Sequence, residues 1–298
     1  MRYSFSKKGV VVHHLTRSLL LVVCMLVNAS ASAQPDAPKP LILGVHPYLP
    51  HNEIISRFTP LADYLAQAIG RPVTVRVGRD YNEHIEAIGS DSIDIAYMGP
   101  APYVQMMAKY GRKPLLARQV INDSPFLQGE IVVRQDSKLS SLKELKGKNF
   151  CFGDSNSTMS SLLPQRMLEN AGVPLSRLGN YKFLEGHQNV ALAVLAGNCD
   201  AGAVKREVFQ EFESRGLRVL AEMPQVADHV FVASAKLPAP LVGKLRTAML
   251  ALNTQPGGRA IMGKIHPDLT ALVAPKDGDY NSLRTLLKVA PSSTSGPH

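Results

Sequence analysis

The 298-residue chain has no tryptophan, only three cysteines and only 6% aromatic residues. Three cysteines are too few for a disulfide-rich scaffold or a cysteine-based zinc site. No apolar run reaches the roughly 20 residues that a membrane-spanning helix requires. The net charge is +9, but no basic block is interleaved with aromatics, so we expect no nucleic-acid partner. The 45% hydrophobic content indicates a folded chain, either one large domain or two α/β lobes.

The chain also lacks the common sequence signatures of enzymes. It contains no G-x-S-x-G elbow, no H-E-x-x-H motif, no G-x-G-x-x-G loop and no P-loop. Its histidines and cysteines do not have the spacing of metal ligands. We therefore expect a binding protein rather than an enzyme, with no metal site and no cofactor. A secreted enzyme with a scattered set of catalytic residues is the alternative.

The first 33 residues have the order of a secretory signal peptide. Basic residues precede an apolar run at 19–27, and small residues follow it. Ala31 and Ala33 fit a cleavage site that leaves Gln34 as the first mature residue. A retained membrane anchor is the alternative, for which the apolar run is short. We therefore expect export to the periplasm, an oxidising compartment.

Cys151 and Cys199 both lie in segments that are predicted to be buried strands. Either they are two small buried hydrophobic residues, or they form a disulfide. A disulfide requires the two strands to be neighbours, and neighbouring parallel strands rarely provide the Cβ geometry. The sequence leaves both alternatives open.

Strands and helices alternate along the chain. Short apolar or alternating segments predict strands at 41–45, 73–77, 93–97, 131–133, 150–153, 181–184, 200–204, 217–220 and 230–232. Apolar residues at helical spacing predict helices at 53–69, 81–88, 101–110, 158–170, 187–195 and 240–252, and one that ends at Phe212. This order implies mostly parallel sheets with right-handed crossovers, arranged as two successive units. Ligands of such sheets bind beyond the carboxyl ends of the strands, which places the expected site in a cleft between two lobes.

The segment 153–161 follows a predicted strand and begins a predicted helix. Backbone N–H groups at a helix N-terminus lack partners and carry partial positive charge, so they attract anions. The hydroxyl of Ser155 or Ser157 can instead cap the helix. The remaining hydroxyls and Asn156 exceed that need. We therefore predict an oxyanion site that includes Ser157 and Thr158.

Other strand ends carry further candidate ligand groups. Tyr97 ends one predicted strand and Tyr48 follows the first, and each hydroxyl either faces a ligand or packs under a loop. His187 begins a helix, where its ring N–H either reaches an anionic oxygen or lies at the surface. Lys205 and Arg206 follow another strand, where one of them can face the cleft and a solvated charge is the alternative.

Several motifs of the chain, taken in order, resemble those of one protein family. They are DIAYMGP at 94–100, GDSNST at 153–158, GH at 186–187 with VALAV at 190–194, and DAGAV at 200–204. The family is that of the phosphate/phosphite/phosphonate-type periplasmic substrate-binding proteins of ABC transporters, and the resemblance runs from about residue 41 to residue 252.

The resemblance implies a two-lobed α/β fold of the class II periplasmic-binding-protein kind, hinged to close on a tetrahedral oxyanion. Each lobe is expected to hold a mostly parallel sheet flanked by helices, with the ligand cleft between the lobes. We assign residues 40–128 and 229–290 to lobe 1 and residues 129–228 to lobe 2. We expect residues 291–298 to form a disordered tail.

The resemblance also implies which residues hold the ligand. In the family, a Ser-Thr-Ser run at a helix start, the motif histidine and tyrosines of the first lobe do so. Carried over to this chain, these roles fall on Ser157, Thr158, His187 and Tyr97, and more loosely on Tyr48.

We add Lys205 to this predicted ligand-binding set. The chain departs from the family's common Ser-Thr-Ser-Gly run at Met159 and Ser160. Met159 offers no hydroxyl, so the choice among phosphate, phosphite and alkylphosphonate stays open.

The implied function is that of an exported solute-binding protein that captures a small phosphonate, phosphite or phosphate and delivers it to an ABC permease. The alternative partner is a membrane histidine kinase, to which the protein would present its ligand as a sensory subunit. The sequence does not separate transport from sensing. We expect a monomer that binds a small anionic ligand.

Overall fold

The computed structural model describes residues 1–4 and 38–289. Residues from Lys39 onward belong to one unit, to which the following description refers. The predicted signal peptide, 1–33, lies outside the described residues apart from its first four. The predicted tail, 291–298, also lies outside them.

The strands and helices follow one another in the alternation that the sequence predicts. The strands are β1 (Leu41–Val45), β2 (Val73–Val77), β3 (Ile95–Met98), β4 (Leu115–Ile121), β5 (Phe126–Leu127), β6 (Gly129–Arg134), β7 (Asn149–Phe152), β8 (Asn180–Phe183), β9 (Ala201–Lys205), β10 (Leu217–Glu222), β11 (Val226–Ala227), β12 (Val230–Ala233) and β13 (Leu269–Val273). The α-helices are α1 (His51–Ile69), α2 (Tyr81–Gly89), α3 (Pro100–Tyr110), α4 (Leu163–Asn170), α5 (His187–Leu195), α6 (Arg206–Glu213), α7 (Ala239–Ala251), α8 (Gly258–Ile265) and α9 (Asn281–Leu287). A π-helical turn, Thr158–Leu162, leads directly into α4.

The first lobe is built on a six-stranded sheet with the strand order β13-β4-β12-β3-β1-β2. β1 lies parallel to β2 and β3, with Leu41 opposite Val73 and Leu43 opposite Ile95. β12 runs antiparallel to β3 and to β4, and β13 runs antiparallel to β4. The carboxyl ends of β1 and β3 therefore lie at the same edge as the amino end of β12.

The second lobe is built on a five-stranded sheet with the strand order β10-β6-β9-β7-β8. β7 lies parallel to both β8 and β9. β6 runs antiparallel to β9 and to β10. The carboxyl ends of β7, β8 and β9 thus share one edge of this sheet.

The predicted two-lobed α/β class is confirmed, but the expectation of mostly parallel sheets needs correction, because each sheet is mixed. The parallel strands are those joined by helices within one lobe, as in β1-α1-β2. The antiparallel strands border the points where the chain changes lobe, after β4 and after β10. A strand that returns from the other lobe has no crossover helix to set its direction, so it is free to pair antiparallel.

The two chain crossings between the lobes lie side by side. β5 follows β4 of the first sheet and precedes β6 of the second, whereas β11 follows β10 and precedes β12. β5 and β11 pair as an antiparallel two-stranded ribbon, with Val226 opposite Leu127 and Ala227 opposite Phe126. The lobes are thus joined by one short hydrogen-bonded element.

Helix α1 shows how the sequence pattern sets the packing. The apolar residues Ile54, Phe58, Leu61 and Leu65 recur at helical spacing, and all four are fully buried. Gly70 ends the helix with φ +69°, a left-handed conformation that favours glycine, and its N–H bonds to the carbonyl of Ala66. The bounds of this helix agree with the prediction to within two residues.

Apolar packing continues from one lobe into the other. One core cluster contains Met98 and Tyr103 of the first lobe together with Phe150 and Met159 of the second. Helix α9 contacts both α3 and α4, so that it packs against each lobe. The lobes therefore meet through buried apolar surface as well as through the polar contacts described below.

The elements β4, β5, β11, β13, α8 and α9 were not predicted from the sequence. β4 is buried on both faces over most of its length, so its residues do not alternate between apolar and polar. Helix α8 is eight residues long and follows Gly257, which has φ +78°, so its periodic signal is short.

Cys151 and Cys199 form a disulfide, which settles the question that the sequence left open. Their Cα atoms are 5.8 Å apart. Cys151 lies in β7, and Cys199 lies two residues before β9, the parallel neighbour of β7. Because Cys199 lies outside the strand, the pair escapes the unfavourable geometry of directly paired parallel strands.

None of the described helices is both long enough and apolar enough to span a bilayer.

Replacing both cysteines with alanine should lower the free energy of unfolding by about 2–4 kcal/mol, because a crosslink over a sequence separation of 48 residues restricts the unfolded chain. Urea denaturation of the protein, with and without reductant, measures the effect. Reduced wild-type protein should match the double variant. Coincident unfolding curves for oxidised and reduced wild-type protein would contradict the prediction.

Candidate ligand-binding site

A small cavity lies where the two lobes meet, at the edges formed by the strand ends. Its volume is about 20 Å³, which is room for one or two water-sized groups. The lining residues are His46, Tyr48, Tyr81, Gly99, Pro102 and His229 from the first lobe, Leu127 from the ribbon, and Ser157, Thr158, Met159, His187 and Lys205 from the second lobe. Of the six predicted ligand-binding residues, the structure brings together Tyr48, Ser157, Thr158, His187 and Lys205.

Ser157 caps the π-helical turn at the cavity. Its Oγ accepts the N–H of Ser160 at 3.4 Å, and its carbonyl accepts the N–H of Leu162, five residues on. A π-turn closes over five residues instead of four, so one more N–H at its start lacks an acceptor within the turn. The N–H groups of Thr158 and Met159 are the first of these. Ser157 therefore serves as the cap and also belongs to the cavity wall.

Gly153 explains the sharp turn that leads to this segment. A Cβ atom at Gly153 would lie 2.1 Å from the Oγ of Ser160, so only glycine fits there. The N–H of Gly153 also bonds to the carbonyl of Ser160 at 2.9 Å. Ser160 thus faces β7 instead of the cavity, and its neighbour Met159 packs beside Gly129. At these two positions the chain adds no hydroxyl to the cavity.

Two direct hydrogen bonds connect the lobes beside the cavity. The N–H of Ala101, in the first turn of α3, donates to Thr158 Oγ1 at 2.9 Å. Asn156 Nδ2 donates to Asn82 Oδ1 at 3.0 Å. Because Thr158 Oγ1 accepts from Ala101, its hydroxyl hydrogen is left to donate toward the cavity. The N-termini of α3 and of the π-turn therefore face each other across the site.

His187 begins α5 and presents a hydrogen-bond donor. The N–H of Lys205 donates to His187 Nδ1 at 3.0 Å, so in the neutral ring the proton is on Nε2. Burial, and then the positive charge of Lys205, hold the pKa of His187 well below its usual value. His187 thus contributes a neutral N–H. Gly186, with φ +77°, provides the turn that precedes it.

Lys205 supplies the positive charge of the cavity. Its Nζ lies 5.9 Å from the centre of the Tyr48 ring, a cation–π distance that spans the two lobes. Arg206, the other candidate at this strand end, forms ion pairs with Glu130 at 2.7 Å and with Glu222 at 3.2 Å. Among the described residues that line the cavity, Lys205 is the only lysine or arginine, and none is an aspartate or glutamate.

Tyr97 is the predicted ligand-binding residue that does not line the cavity. Its hydroxyl donates to Gln119 Oε1 at 2.7 Å, so it is turned into the protein. Its ring lies behind the cavity wall, with centroid distances of 5.6 Å to His46 and 5.0 Å to His229 and with nearly parallel planes. Tyr97 therefore supports the two histidines and does not face a ligand in this structure.

The sequence analysis missed three polar side chains of the cavity, His46, Tyr81 and His229. His46 directly follows β1, and Tyr81 begins the helix that follows β2, so strand ends would have indicated both. His229 precedes β12, whose antiparallel direction brings its amino end to the edge of the site. A search limited to carboxyl ends of parallel strands does not find such a residue.

His229 is held by a buried carboxylate. Its Nδ1 lies 2.7 Å from Asp228 Oδ1, which also accepts Gln119 Nε2 at 2.9 Å. Burial raises the pKa of Asp228, but the hydrogen bond from His229 and the charge of Lys205 outweigh it, so the net shift is downward. Burial and then Lys205 lower the pKa of His229, against the opposing hydrogen bond to Asp228. Both shifts are downward, which favours an anionic Asp228 and a neutral His229.

His46 is fixed by the backbone of β3. Its Nδ1 lies 3.1 Å from the carbonyl oxygen of Tyr97, which also receives His84 Nε2 at 3.0 Å. Since a carbonyl only accepts, His46 Nδ1 and His84 Nε2 must each carry a proton. Burial, followed by the neighbouring His229 and His84, keeps the pKa of His46 well below its usual value.

A wider cleft of about 750 Å³ opens outside the small cavity. Both lobes line it, and Tyr48 belongs to both spaces. Burial raises the pKa of Tyr48 to about 12, so its hydroxyl keeps its proton at neutral pH. Tyr48 therefore stands between the inner cavity and the cleft as a neutral donor.

No three histidine, cysteine, aspartate or glutamate side chains within the described part of the chain are placed to hold a metal ion.

Two α/β lobes joined by a two-stranded ribbon, with a donor-rich cavity at their junction, are the architecture of a solute-binding protein. Residues 43–280 match the family described as the phosphonate periplasmic substrate-binding protein of ABC transporters. The chain belongs to this family, as its sequence motifs predicted. It is therefore a substrate-binding component of the periplasmic type.

Individual relatives agree with this assignment. The chain is 28% identical over 260 residues to the phosphate-import protein PhnD of Mycolicibacterium smegmatis, which covers 79% of this chain and 81% of the relative. It is 25% identical over 227 residues to the probable ABC transporter phosphite binding protein PhnD1 of Prochlorococcus marinus, covering 72% and 76%. The crystal structure of the latter protein with methylphosphonate matches with a TM-score of 0.75 and 21% identity, over 84% of this chain and 98% of that one.

The variant Lys205→Met should weaken anion binding at least about tenfold, because it removes the only cationic side chain among the described lining residues. It should also reduce the dependence of the dissociation constant on salt concentration. Isothermal titration at two ionic strengths measures both effects. Lys148→Met, at an exposed position on the second lobe, is the matched control and should leave the affinity unchanged.

Proposed function

We propose that the mature protein captures a small phosphorus oxyanion of the phosphate, phosphite or alkylphosphonate class between its lobes and delivers it to an ABC permease. The single observation that carries this proposal is the convergence of helix N-termini on one cavity beside Lys205. The helices begin at Pro100, Thr158, His187 and Arg206, and the residues next to each of these starts line the cavity. Helix N-termini attract anions through the helix dipole and, where they are unpaired, through N–H groups. At α3 only the dipole acts, because Pro100 and Pro102 have no N–H and Ala101 donates to Thr158.

The side chains of the cavity supply further donors. Hydroxyl groups of Ser157, Thr158 and Tyr48 and the Nε2–H of His187 are neutral donors, and Lys205 is a charged one. Hydrogen bonds that involve a charged partner contribute roughly 1.5–3 kcal/mol each. An arrangement with several donors and no lining carboxylate among the described residues is suited to a compact anion and unsuited to a cation.

The relatives support the class of ligand. One is named for phosphate import, another for phosphite binding, and the crystal structure of the latter contains methylphosphonate. All three are compact tetrahedral anions. Larger substituents would have to pass Tyr48 into the outer cleft.

Closure of the lobes is the step that couples binding to delivery. The hydrogen bonds Ala101–Thr158 and Asn82–Asn156 connect the lobes in this structure, and an opening about the ribbon would break both. A ligand that touches residues of both lobes stabilises the closed form, because those contacts exist only there. We place the hinge at β5 and β11, the boundary between lobe 1 (40–128 and 229–290) and lobe 2 (129–228).

The remaining features of the proposal concern location and state. Residues 1–33 act as a cleavable signal peptide, so that the mature protein works in the periplasm. The mature protein is a monomer. The protein binds its ligand without converting it. The disulfide between Cys151 and Cys199 suits an oxidising compartment.

A thermal-shift panel tests the proposal directly. Mature protein is heated with phosphate, phosphite, methylphosphonate or an aliphatic ammonium salt as the negative control. At least one phosphorus oxyanion should raise the midpoint by several degrees through preferential binding to the folded state. A folded sample that none of the three anions stabilises would refute the proposed function.

The variant Thr158→Val should weaken oxyanion binding about tenfold or more, because it keeps the side-chain volume and removes both the donor to the ligand and the acceptor of Ala101. Ser161→Ala is the control: its hydroxyl is also buried in the π-turn but accepts from Gln165 and does not line the cavity. Isothermal titration of both variants gives the comparison. Equal losses would remove Thr158 from the site.

A further inference from the structure

We propose that His46 and His229 supply the acceptors for the O–H groups of the bound anion, with each O–H donating to one ring nitrogen. The site would then take a tetrahedral phosphorus oxyanion that keeps a proton, and it would reject sulfate and sulfonates, which keep none near neutral pH. This inference rests on the proposed function and goes beyond it by naming the protonation state of the ligand.

The ring of His229 has its lone pair on the cavity side. Its Nδ1 side is occupied by Asp228 Oδ1 at 2.7 Å, and a carboxylate accepts a proton there. In the neutral ring Nε2 therefore has no proton. A Cβ atom built on Gly99, a lining residue, would lie 3.5 Å from this Nε2, so the nitrogen points at the cavity wall where glycine leaves space.

His46 has its hydrogen-bond donor and acceptor on the same ring nitrogens as His229. Its Nδ1–H is directed to the carbonyl oxygen of Tyr97, which leaves a lone pair on Nε2. The rings of His46 and His229 are stacked, with centroids 5.5 Å apart and an angle of 16° between their planes, and both line the cavity. Two acceptors therefore lie next to each other in a cavity otherwise lined with donors.

The charges around the pair keep both rings neutral. The charged groups and histidines that face them are Asp228 on the segment before β12, Lys205 and Glu207 at the start of α6, His187 on α5, and His84 on α2. The tyrosines that pack against them are Tyr48, Tyr81 and Tyr97, and burial raises the pKa of each, so they stay uncharged. A proton on either ring would place a second positive charge beside Lys205 in a buried space. Asp228 and Glu207 oppose this effect at His229, but burial and Lys205 outweigh them.

An anion without an O–H group binds weakly at this position for two reasons. Its oxygens would face the lone pairs of the ring nitrogens, which repel them, and the nitrogen that an O–H would have bonded would stay unpaired. A binding site that hydrogen-bonds a substrate O–H can reject an analogue without one by a factor of about 10⁴. The donors at Ser157, Thr158 and His187 do not discriminate in this way, because they serve any oxyanion.

Methylphosphonate and methanesulfonate form a matched pair of ligands for the test. They share shape and methyl group, but only the phosphonate monoanion has an O–H. Isothermal titration of the mature protein at pH 6 should give at least about 100-fold weaker binding of methanesulfonate. Above the last pKa of methylphosphonate, its dissociation constant should rise about tenfold per pH unit, as the protonated form is depleted.

The outcomes separate this inference from the proposed function. Binding of both ligands within about threefold of each other would overturn the inference and leave oxyanion capture intact. Methanesulfonate does not titrate in this range, so a steep gain in its affinity as the pH falls would show that the histidines become cationic donors, which also overturns the inference. Failure of every phosphorus oxyanion to bind would overturn the proposed function itself.

The double variant His46→Gln/His229→Gln assigns the selectivity to this pair. A glutamine amide offers either an acceptor or a donor, so the preference for methylphosphonate over methanesulfonate should fall at least about tenfold. His84→Gln is the matched control, because His84 bonds to the same Tyr97 carbonyl as His46 but does not line the cavity. Its preference should stay at the wild-type value, and an equal fall in both variants would overturn the assignment.

Nitrogen NMR of the wild-type imidazoles provides a readout that does not depend on the variants. Ligand-free protein at pH 7 should show the Nδ1–H form for His46 and His229 and the Nε2–H form for His187. The imidazolium pattern at either member of the pair would overturn the proposal.

Discussion

Backbone N–H groups at the starts of helices have no acceptor within their own helix, and this constraint determines where the protein can bind an anion. In this fold the starts of α3, the π-turn, α5 and α6 meet at one cavity. Their partial charges add at that point. The N–H groups at the start of the π-turn are left for a ligand, whereas those of Ala101 in α3 and Arg206 in α6 already donate to Thr158 and Gln128. The sheets bring this about, because strand ends of both lobes are aligned at the facing edges. The position of the site thus follows from topology, before any particular side chain is considered.

Side chains then convert a general anion site into one that depends on lobe closure. Thr158 belongs to the second lobe but accepts a backbone hydrogen bond from Ala101 of the first. Lys205 and Tyr48 likewise face each other from opposite lobes. Because the donor set is complete only when the lobes are together, binding and closure stabilise each other. A protein that must signal its loaded state to a membrane partner needs this coupling.

The sequence predicted the two-lobed class and five of the cavity residues, because strand ends and helix starts are local patterns. The errors came from tertiary pairing. His229 lies at an amino end, and only the antiparallel pairing of β12 with β3 brings it to the site. Tyr97 stands at a carboxyl end as expected, but Gln119, from a strand that the sequence did not reveal, takes its hydroxyl. A local pattern states which residues reach an edge of the sheet, whereas the neighbouring strands decide which of them face the ligand.

Charge and hydrogen-bond polarity lead independently to the same kind of ligand. Among the described lining residues, Lys205 is the one fixed positive charge, and lowered pKa values keep His46, His187 and His229 neutral. A single cation in a buried cavity balances a monoanion better than a dianion, because an excess buried charge is costly to desolvate. Phosphate, phosphite and phosphonates reach the monoanionic state by keeping a proton, which then requires an acceptor. The Nε2 atoms of His46 and His229 supply that acceptor, so the charge count and the histidine tautomers describe one and the same species.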